Sequence, residues 1–417
     1  MTYSAAALLG HAILGNKHWP AILNTPDMRS SYDVVIVGGG GHGLATAHYL
    51  AANHGITDVA VIEAAWIGGG NTARNTGIVR SDYLLNSSFR LKNFALGLWN
   101  DLSRQLNFNL MYEPRGYVDL AHSDDELERF TLRANAMRLR GAEAEILTGD
   151  ALLARVPQLD LTGEKRFPVI GALAQEAGGV VRHDAVAWGF ARSAASAGIH
   201  IIQNCPVTGF EITGGRLSAV RTALGRVACT RALITVAGAS TALAEMAGLD
   251  LPLNSINVQA LVTEPVNPVL DAVVNYNAGL CYASQTSKGE FVLGGATDGY
   301  TSYARRGNFG QIEDVLARAL QIFPFLSRLR LMRHWAGTAD ITFDGNAIVG
   351  RTEVEGLMIN AGWGYSGFKA TPAAGWCLAE LLGTGTLPEL LVPFSLNRFE
   401  TGSEQDDAGA GPYPWLH

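Results

Sequence analysis

The chain has 417 residues, 48% of them hydrophobic and 17% charged, with a formal net charge of −7. That length exceeds one ordinary domain and carries enough apolar side chain for a large core, so two domains are expected. The acidic balance leaves no basic stripe to displace counterions from a phosphate backbone, which argues against nucleic acid as a partner.

From Met1 to Asn24 the apolar residues Ala5 to Leu9, Ile13 and Leu14 are interrupted by His11, Lys17 and His18. Such a stretch is too short and too broken to cross a membrane, and it lacks the pattern of a cleaved leader. Residues 1–30 are expected to form an arm packed on a partner subunit or on the chain itself. Cys205, Cys229, Cys281 and Cys377 lie far apart, with no CxxC pair and no histidine at metal-ligand spacing. They are expected to be buried free thiols in a reducing, cytoplasmic setting, with no metal site.

Tyr32 to Val37 is a β-branched run ending in glycines, which suits a buried parallel strand. Leu44 to Asn53 is rich in helix formers, and Val59 to Glu63 reads as the second strand of a βαβ unit. Two later runs, Val227 to Gly238 and Gly356 to Gly362, end in glycine and are expected to extend the same sheet. Val258 to Glu264, Leu280 to Gln285 and Gly289 to Gly294 alternate like antiparallel strands and predict a second layer.

Between the first strand and the first helix stands Gly38-Gly39-Gly40-Gly41-His42-Gly43, which satisfies G-x-G-x-x-G in the context that the motif requires. Glycines at 38, 40, 41 and 43 permit a tight turn and let the backbone approach a pyrophosphate at the helix N-terminus. Glu63 follows Gly43 by 20 residues, where a carboxylate accepts a hydrogen bond from a ribose 2′-hydroxyl. This disfavours NADP and leaves FAD and NAD open.

Next comes a donor-rich glycine loop, Gly68 to Gly77, holding Gly70, Asn71, Arg74, Asn75 and Thr76. An NAD dehydrogenase has no need of it, whereas an FAD protein can hold its flavin there. Near the C-terminus, Gly362-Trp363-Gly364-Tyr365-Ser366-Gly367-Phe368-Lys369 precedes a helix expected from Ala373 to Leu382. Backbone N–H groups and the dipole at such a helix start offset negative charge on a flavin edge, with Gly364, Gly367 and Phe368 beside it and Lys369 adding a full charge.

Together GGGGHGLATAHYLA, GGNTARNTGIVRSDY, GGVVRHDAVAWGFAR, IIQNCPVTGF and GWGYSGFKATPAAG resemble the β-subunits of heterotetrameric sarcosine oxidases, within the glycine oxidase and D-amino-acid oxidase-like flavoproteins. N-methylglutamate dehydrogenase large subunits are similar. The resemblance implies an α/β fold: a Rossmann-like FAD-binding domain of glutathione-reductase type with a second, largely antiparallel substrate domain. The cofactor domain is expected to be discontinuous, 31–115, 165–250 and 330–400. The substrate or interface domain takes 116–164 and 251–329, and 401–417 form a tail.

By the same resemblance Arg80 and Lys369 bind the substrate carboxylate, and Val207 and Gly238 join the cofactor contacts. The monomeric relatives attach FAD through a cysteine, and none stands in His334 to Asp340 here, so non-covalent FAD is implied. His183 matches the attachment site of a covalent FMN. The implied activity is oxidation of the N-methyl group of sarcosine or another small N-methyl amino acid, with electrons passing through FMN to oxygen. The implied partners are a larger α-subunit that binds NAD and tetrahydrofolate and two small subunits. The alternatives are an N-methylglutamate dehydrogenase subunit serving an electron carrier, or a non-catalytic flavin relay.

Overall fold

The computed structural model describes residues 4–15, 23, 25–276, 281–403 and 405. The β-branched run beginning at Tyr32 forms the fully buried strand Val34–Val37 at the middle of a six-stranded sheet. On one side lie Val59–Ile62 and His200–Ile202, and on the other Arg231–Ile234, Leu357–Ala361 and Ile348–Arg351. All pairings are parallel except that of Ile348–Arg351 with Leu357–Ala361. Successive side chains of a strand face opposite ways. Val34 and Ile36 therefore pack with helices Gly41–His54, Asn86–Gln105, His183–Ser196 and Gly367–Thr384. Val35 and Val37 pack with the meander Val207–Thr213, Arg216–Thr222 and Gly225–Ala228.

The run expected as one strand over 227–238 is divided. Its start closes the meander, Arg231–Ile234 enters the parallel sheet, and Ala237–Ala239 turns as a 3₁₀ helix with Ala237 at φ 48°. The C-terminal helix begins at Gly367, six residues before the expected start, and runs through Pro372 to Thr384. Proline there forfeits one hydrogen bond, to the carbonyl of residue 368, and the burial of Ala370, Ala373, Ala374, Cys377 and Leu378 offsets that loss.

The second sheet has eight strands, in the order Leu331–Ile341, Asn254–Pro265, Glu290–Thr301, Cys281–Gln285, Val273–Tyr276, Tyr117–Ala121, Gly171–Gln175 and Glu145–Leu147. It is antiparallel save where Val273–Tyr276 meets Tyr117–Ala121. Of the strand expected from Leu280, that first residue lies outside the described residues. Two strands, Gly171–Gln175 and Leu331–Ile341, fall in stretches expected on the cofactor side. Pairing decides this: each is zipped antiparallel to a substrate-side strand, which a domain boundary drawn between motifs does not see. One face of this sheet (Val118, Leu120, Val274, Ala283, Leu293) is covered by helix Phe309–Ile322. The opposite face turns Tyr117, Asp119, Asn275 and Tyr282 toward a cavity between the sheets.

The N-terminal helix Ala5–Ile13 is capped by Ser4, whose Oγ accepts from the Ala7 N–H at 3.2 Å, and none of its residues is buried. Among the described residues no helix is long and apolar enough to cross a membrane, and no cluster of His, Cys, Asp and Glu could hold a metal. The four cysteines are free and buried. Of the tail beyond Thr401, only residues 402, 403 and 405 are described.

Candidate active site

A cavity of about 630 Å³ lies between the two sheets, and three glycine-bearing segments meet along it. At one end Gly38 leaves the first strand at φ 114°, where a Cβ would stand 2.3 Å from the Thr235 carbonyl oxygen. Gly43 does not line the cavity. A Cβ there would lie 2.1 Å from the Gly38 oxygen, so Gly43 serves the close packing of helix against strand. The helix Gly41–His54 starts at Gly40 with no side-chain cap, leaving a helix N-terminus turned to the cavity. Glu63 Oε2 accepts from the Gly39 N–H at 2.8 Å and Oε1 from that of Ala65 at 2.9 Å, which fixes its carboxylate beside the glycine turn.

Expected contacts Gly70, Asn71, Arg74, Asn75 and Thr76 all line the cavity, in a loop tied down by its own side chains. Asn71 exchanges hydrogen bonds with the Thr338 backbone, as a neighbouring strand would. Arg74 Nη1 donates to the Gly69 and Gly70 carbonyls at 2.5 and 2.6 Å, and the Trp335 indole donates to the Arg74 carbonyl at 2.8 Å.

The C-terminal motif is locked to the first glycine loop through Asn360. Its amide nitrogen donates to His42 Nδ1 and to Thr235 Oγ1, both at 2.9 Å, and its oxygen accepts from the Trp363 indole at 2.6 Å. With Nδ1 accepting, His42 Nε2 donates to the Gly367 carbonyl at 2.8 Å. Burial lowers the His42 pKa, so the neutral ring is the working form. His42 is thus a brace between two loops. Gly364, Gly367 and Phe368 line the cavity with Val207, while Gly238 does not; a Cβ on Gly238 would collide with Thr338 Cγ2 at 2.5 Å.

Cations gather at the far end of the cavity. Lys369 is 7% exposed, and its Nζ donates to the Tyr365 carbonyl at 3.0 Å. Its pKa is lowered well below the ordinary value, first by burial and then by Arg80 and Lys92. Arg80 pairs with Asp82 and lies over the rings of Tyr83 and Tyr117, with centroids at 4.9 and 4.8 Å. Lys92 is 1% exposed and sits 4.7 Å from the Tyr83 centroid. Beyond them, Arg133 lies 3.4 Å from Asp119 and 3.8 Å from Asp82.

Asp82 lies within the segment GGNTARNTGIVRSDY without being singled out there, and Lys92, Asp119 and Arg133 fall outside every motif, though Lys92 and Asp119 leave a trace in the sequence. Lys92 stands on the apolar stripe of its helix, between Phe89 and Leu96, and Asp119 interrupts the apolar strand Tyr117–Ala121. His183 is outside the cavity. It opens helix His183–Ser196 behind the Gly68 to Gly77 loop, with Nε2 3.2 Å from the Ala73 carbonyl oxygen, and its pKa is lowered by burial.

A family model described as "FAD dependent oxidoreductase" matches residues 33–381. The chain belongs to this family of FAD-dependent oxidoreductases. It is 48% identical over 417 residues to a sarcosine oxidase subunit beta of Rhizobium meliloti (strain 1021), covering 100% of both chains. It is 44% identical over 394 residues to one of Arthrobacter sp, covering 94% of this chain and 97% of that one. Among solved structures, L-proline dehydrogenase of P. horikoshii superposes with a TM-score of 0.84 at 27% identity, covering 90% of this chain and 99% of the other.

The residues of this FAD-dependent oxidoreductase fit the cofactor. Two helix N-termini, at Gly41 and Gly367, face one cavity, a setting that suits a diphosphate and a flavin edge, with the Gly41 N–H held by Thr72 Oγ1 at 3.0 Å. Between them Thr371 Oγ1 is buried with no hydrogen-bond partner, 3.3 Å from the position of a Cβ on Gly41. Such an orphaned hydroxyl costs free energy until a ligand satisfies it. The two helices cross at Gly375, where a Cβ would meet Ala45 Cβ at 2.4 Å. Gly375→Val should wedge them apart and weaken FAD binding by about tenfold or more, since overpacking a tight contact costs roughly 1–3 kcal/mol. Flavin absorbance per protein, read after dilution, checks this.

Proposed function

We propose that this chain is the catalytic subunit of a multi-subunit amine oxidase that removes the N-methyl group of a small N-methyl amino acid, sarcosine foremost. The observation that carries this reading is the meeting of Arg80, Lys369 and Lys92 at one end of the cofactor cavity, a setting built for a carboxylate. A flavin relay needs no such setting. Bound FAD supplies the two-electron acceptor, and the products are a formaldehyde equivalent and the demethylated amino acid.

The chain's own residues bind and orient. Arg80 offers a planar fork to the carboxylate, and Lys369 a point charge from the opposite segment. The depressed pKa of Lys369 has a direct consequence: an arriving carboxylate favours the ammonium form, so substrate binding and protonation of Lys369 reinforce each other. Held by its carboxylate, the amino acid presents its N-methyl carbon in one orientation, and such fixing lowers the barrier entropically.

The name of the Rhizobium relative supports sarcosine and the presence of further subunits. The resemblance adds a larger α-subunit for NAD and tetrahydrofolate, two small subunits, and an FMN held on His183 that passes electrons to oxygen. One observation favours a second reading. Lys92 adds a cation beyond the pair that one carboxylate needs, which suits a dicarboxylic substrate such as N-methylglutamate.

Anaerobic addition of sarcosine, then of N-methyl-L-glutamate, to the purified complex tests both readings. Bleaching of the flavin by sarcosine at the lower concentration supports the first, and preference for N-methylglutamate the second. Absence of bleaching by either overturns the catalytic role. Acid precipitation should release FAD and leave FMN on the peptide that contains His183.

A further inference from the structure

The carboxylate-binding role of Arg80 leaves open what holds its guanidinium in place. The segment that carries it is pinned to the second sheet: the Ser81 N–H donates to Gln175 Oε1 at 2.8 Å, and Gln175 Nε2 donates back to Ser81 Oγ at 2.8 Å. The next residue, Asp82, is 1% exposed, and its Oδ1 takes Arg80 Nη1. Its Oδ2 is buried without a hydrogen bond and lies 3.8 Å from Arg133 Nη1. Arg133, on helix Asp124–Leu139, is held by Asp119 at 3.4 Å, and Asp119 Oδ1 accepts from Asn275 Nδ2 at 2.8 Å. Two carboxylates and two guanidiniums thus alternate, Arg80, Asp82, Arg133, Asp119, along the wall of the cavity.

We propose that Asp82 is a positioning residue that aims Arg80 at the substrate carboxylate, and that Arg133 and Asp119 govern how firmly it does so. This rests on the reading of Arg80 given above. Asp82 stands between two guanidiniums that draw on the same carboxylate. While Asp119 is ionised it holds Arg133, and Asp82 remains with Arg80. When Asp119 takes a proton, Arg133 loses its nearest counter-charge, keeps the weaker field of Glu126 on its own helix, and pulls harder on Asp82, and Arg80 loses its aim.

Asp119 is placed to act in this way. Burial raises its pKa to about 6, against the opposing pull of Arg133. The groups that face it are Arg133 from the helix, Asp82 and Arg80 from the segment after strand Ile78–Val79, and Asn275 from the neighbouring strand. Its titration therefore falls inside the working range of an enzyme. Substrate affinity should weaken as pH falls through about 6, and weaken again at higher pH, where Lys369 gives up the proton that substrate binding favours.

The test is anaerobic stopped-flow reduction of the purified complex by whichever N-methyl amino acid bleaches it, giving an apparent Kd and a limiting reduction rate. For Asp82→Asn, Kd should rise by about tenfold or more, with the limiting rate within about threefold and the FAD content unchanged, since the variant removes a charge-assisted hydrogen bond and keeps the shape. Asp119→Asn should abolish the acid limb of the Kd profile, which general loosening of the structure would not do. If Asp82→Asn leaves Kd unchanged while Arg80→Met weakens it, this inference falls and the reading of Arg80 survives. If Arg80→Met changes nothing, or neither amino acid bleaches the flavin, that reading falls and takes the inference with it. Should Asp82→Asn come out without FAD, the Asp119→Asn profile decides alone, and an acid limb at its wild-type position overturns the proposal.

Discussion

Arg80→Met is expected to weaken substrate binding by about 100-fold or more while leaving FAD in place, because truncating one member of a buried charge pair costs roughly 2–5 kcal/mol. Two losses add. The substrate carboxylate loses its planar fork, and the cavity loses a cation that balanced Asp82. Asp82 keeps Arg133 at 3.8 Å, so the variant should fold. Methionine preserves most of the packing against Tyr83 and Tyr117, which confines the change to charge. The apparent Kd for sarcosine and for N-methylglutamate, read from anaerobic flavin reduction, checks the prediction. Unchanged values for both would remove Arg80 from the substrate site.

The largest stability effect is expected at the turn that joins the two sheets after Ile341, from Arg398→Ala. The Arg398 guanidinium grips Asp344 through two bonds, Nε to Oδ2 at 2.7 Å and Nη2 to Oδ1 at 3.0 Å, with both side chains at most 2% exposed. It also donates to the carbonyls of Ser395 and Asn346 at 3.1 and 2.9 Å. Removing it leaves the buried Asp344 carboxylate without its counter-charge, held only by the N–H groups of Asn346 and Gln405, at a cost of about 3–5 kcal/mol. Burial alone would raise the Asp344 pKa, but the bonds from Arg398 and neighbouring N–H groups hold it below the ordinary value. A depressed carboxyl lends stability that is present above its unfolded pKa of about 3.9 and fades as pH falls through the folded value. The gap between wild type and variant in urea unfolding should therefore be full at pH 7 and shrink in acid below about pH 4. A gap that stays constant down to pH 3 would contradict the pairing as its origin.

The cofactor half of the fold was legible because its signals are local. The strand at Val34–Val37, the glycine turn and the helix after it occupy consecutive residues, and each follows from composition and φ. Where pairing partners are distant, the reading ran out. Strand Leu331–Ile341 joins Asn254–Pro265 across a long separation, so sheet membership at 331–341 depended on a contact that no local pattern reports. The start of the C-terminal helix was missed for the opposite reason: Pro372 is a local stop signal, and tertiary burial overrode it.

At the site, Arg80 and Lys369 were found through motifs, and the cavity holds both. Gly43 and Gly238 stand off the cavity and serve close packing, whereas His42 lines it and also braces two loops, roles that a motif cannot distinguish from ligand contact. Lys92, Asp119 and Arg133 come from three separate elements, and only the folded chain brings them to one wall.

The chain passes between the two sheets four times, after residues 62, 175, 234 and 341. A clam-shell opening would have to bend all four crossings at once, and the last, from Ile341 to Ile348, is only a short turn clipped to Arg398 through Asp344. Entry and exit of small molecules should therefore depend on side chains and short loops at the cavity rim, with the two halves moving as one body. Engineering a wider specificity would then be a matter of rim residues. Exchanging one half for that of a relative would cut four covalent connections and the shared wall of the cavity together.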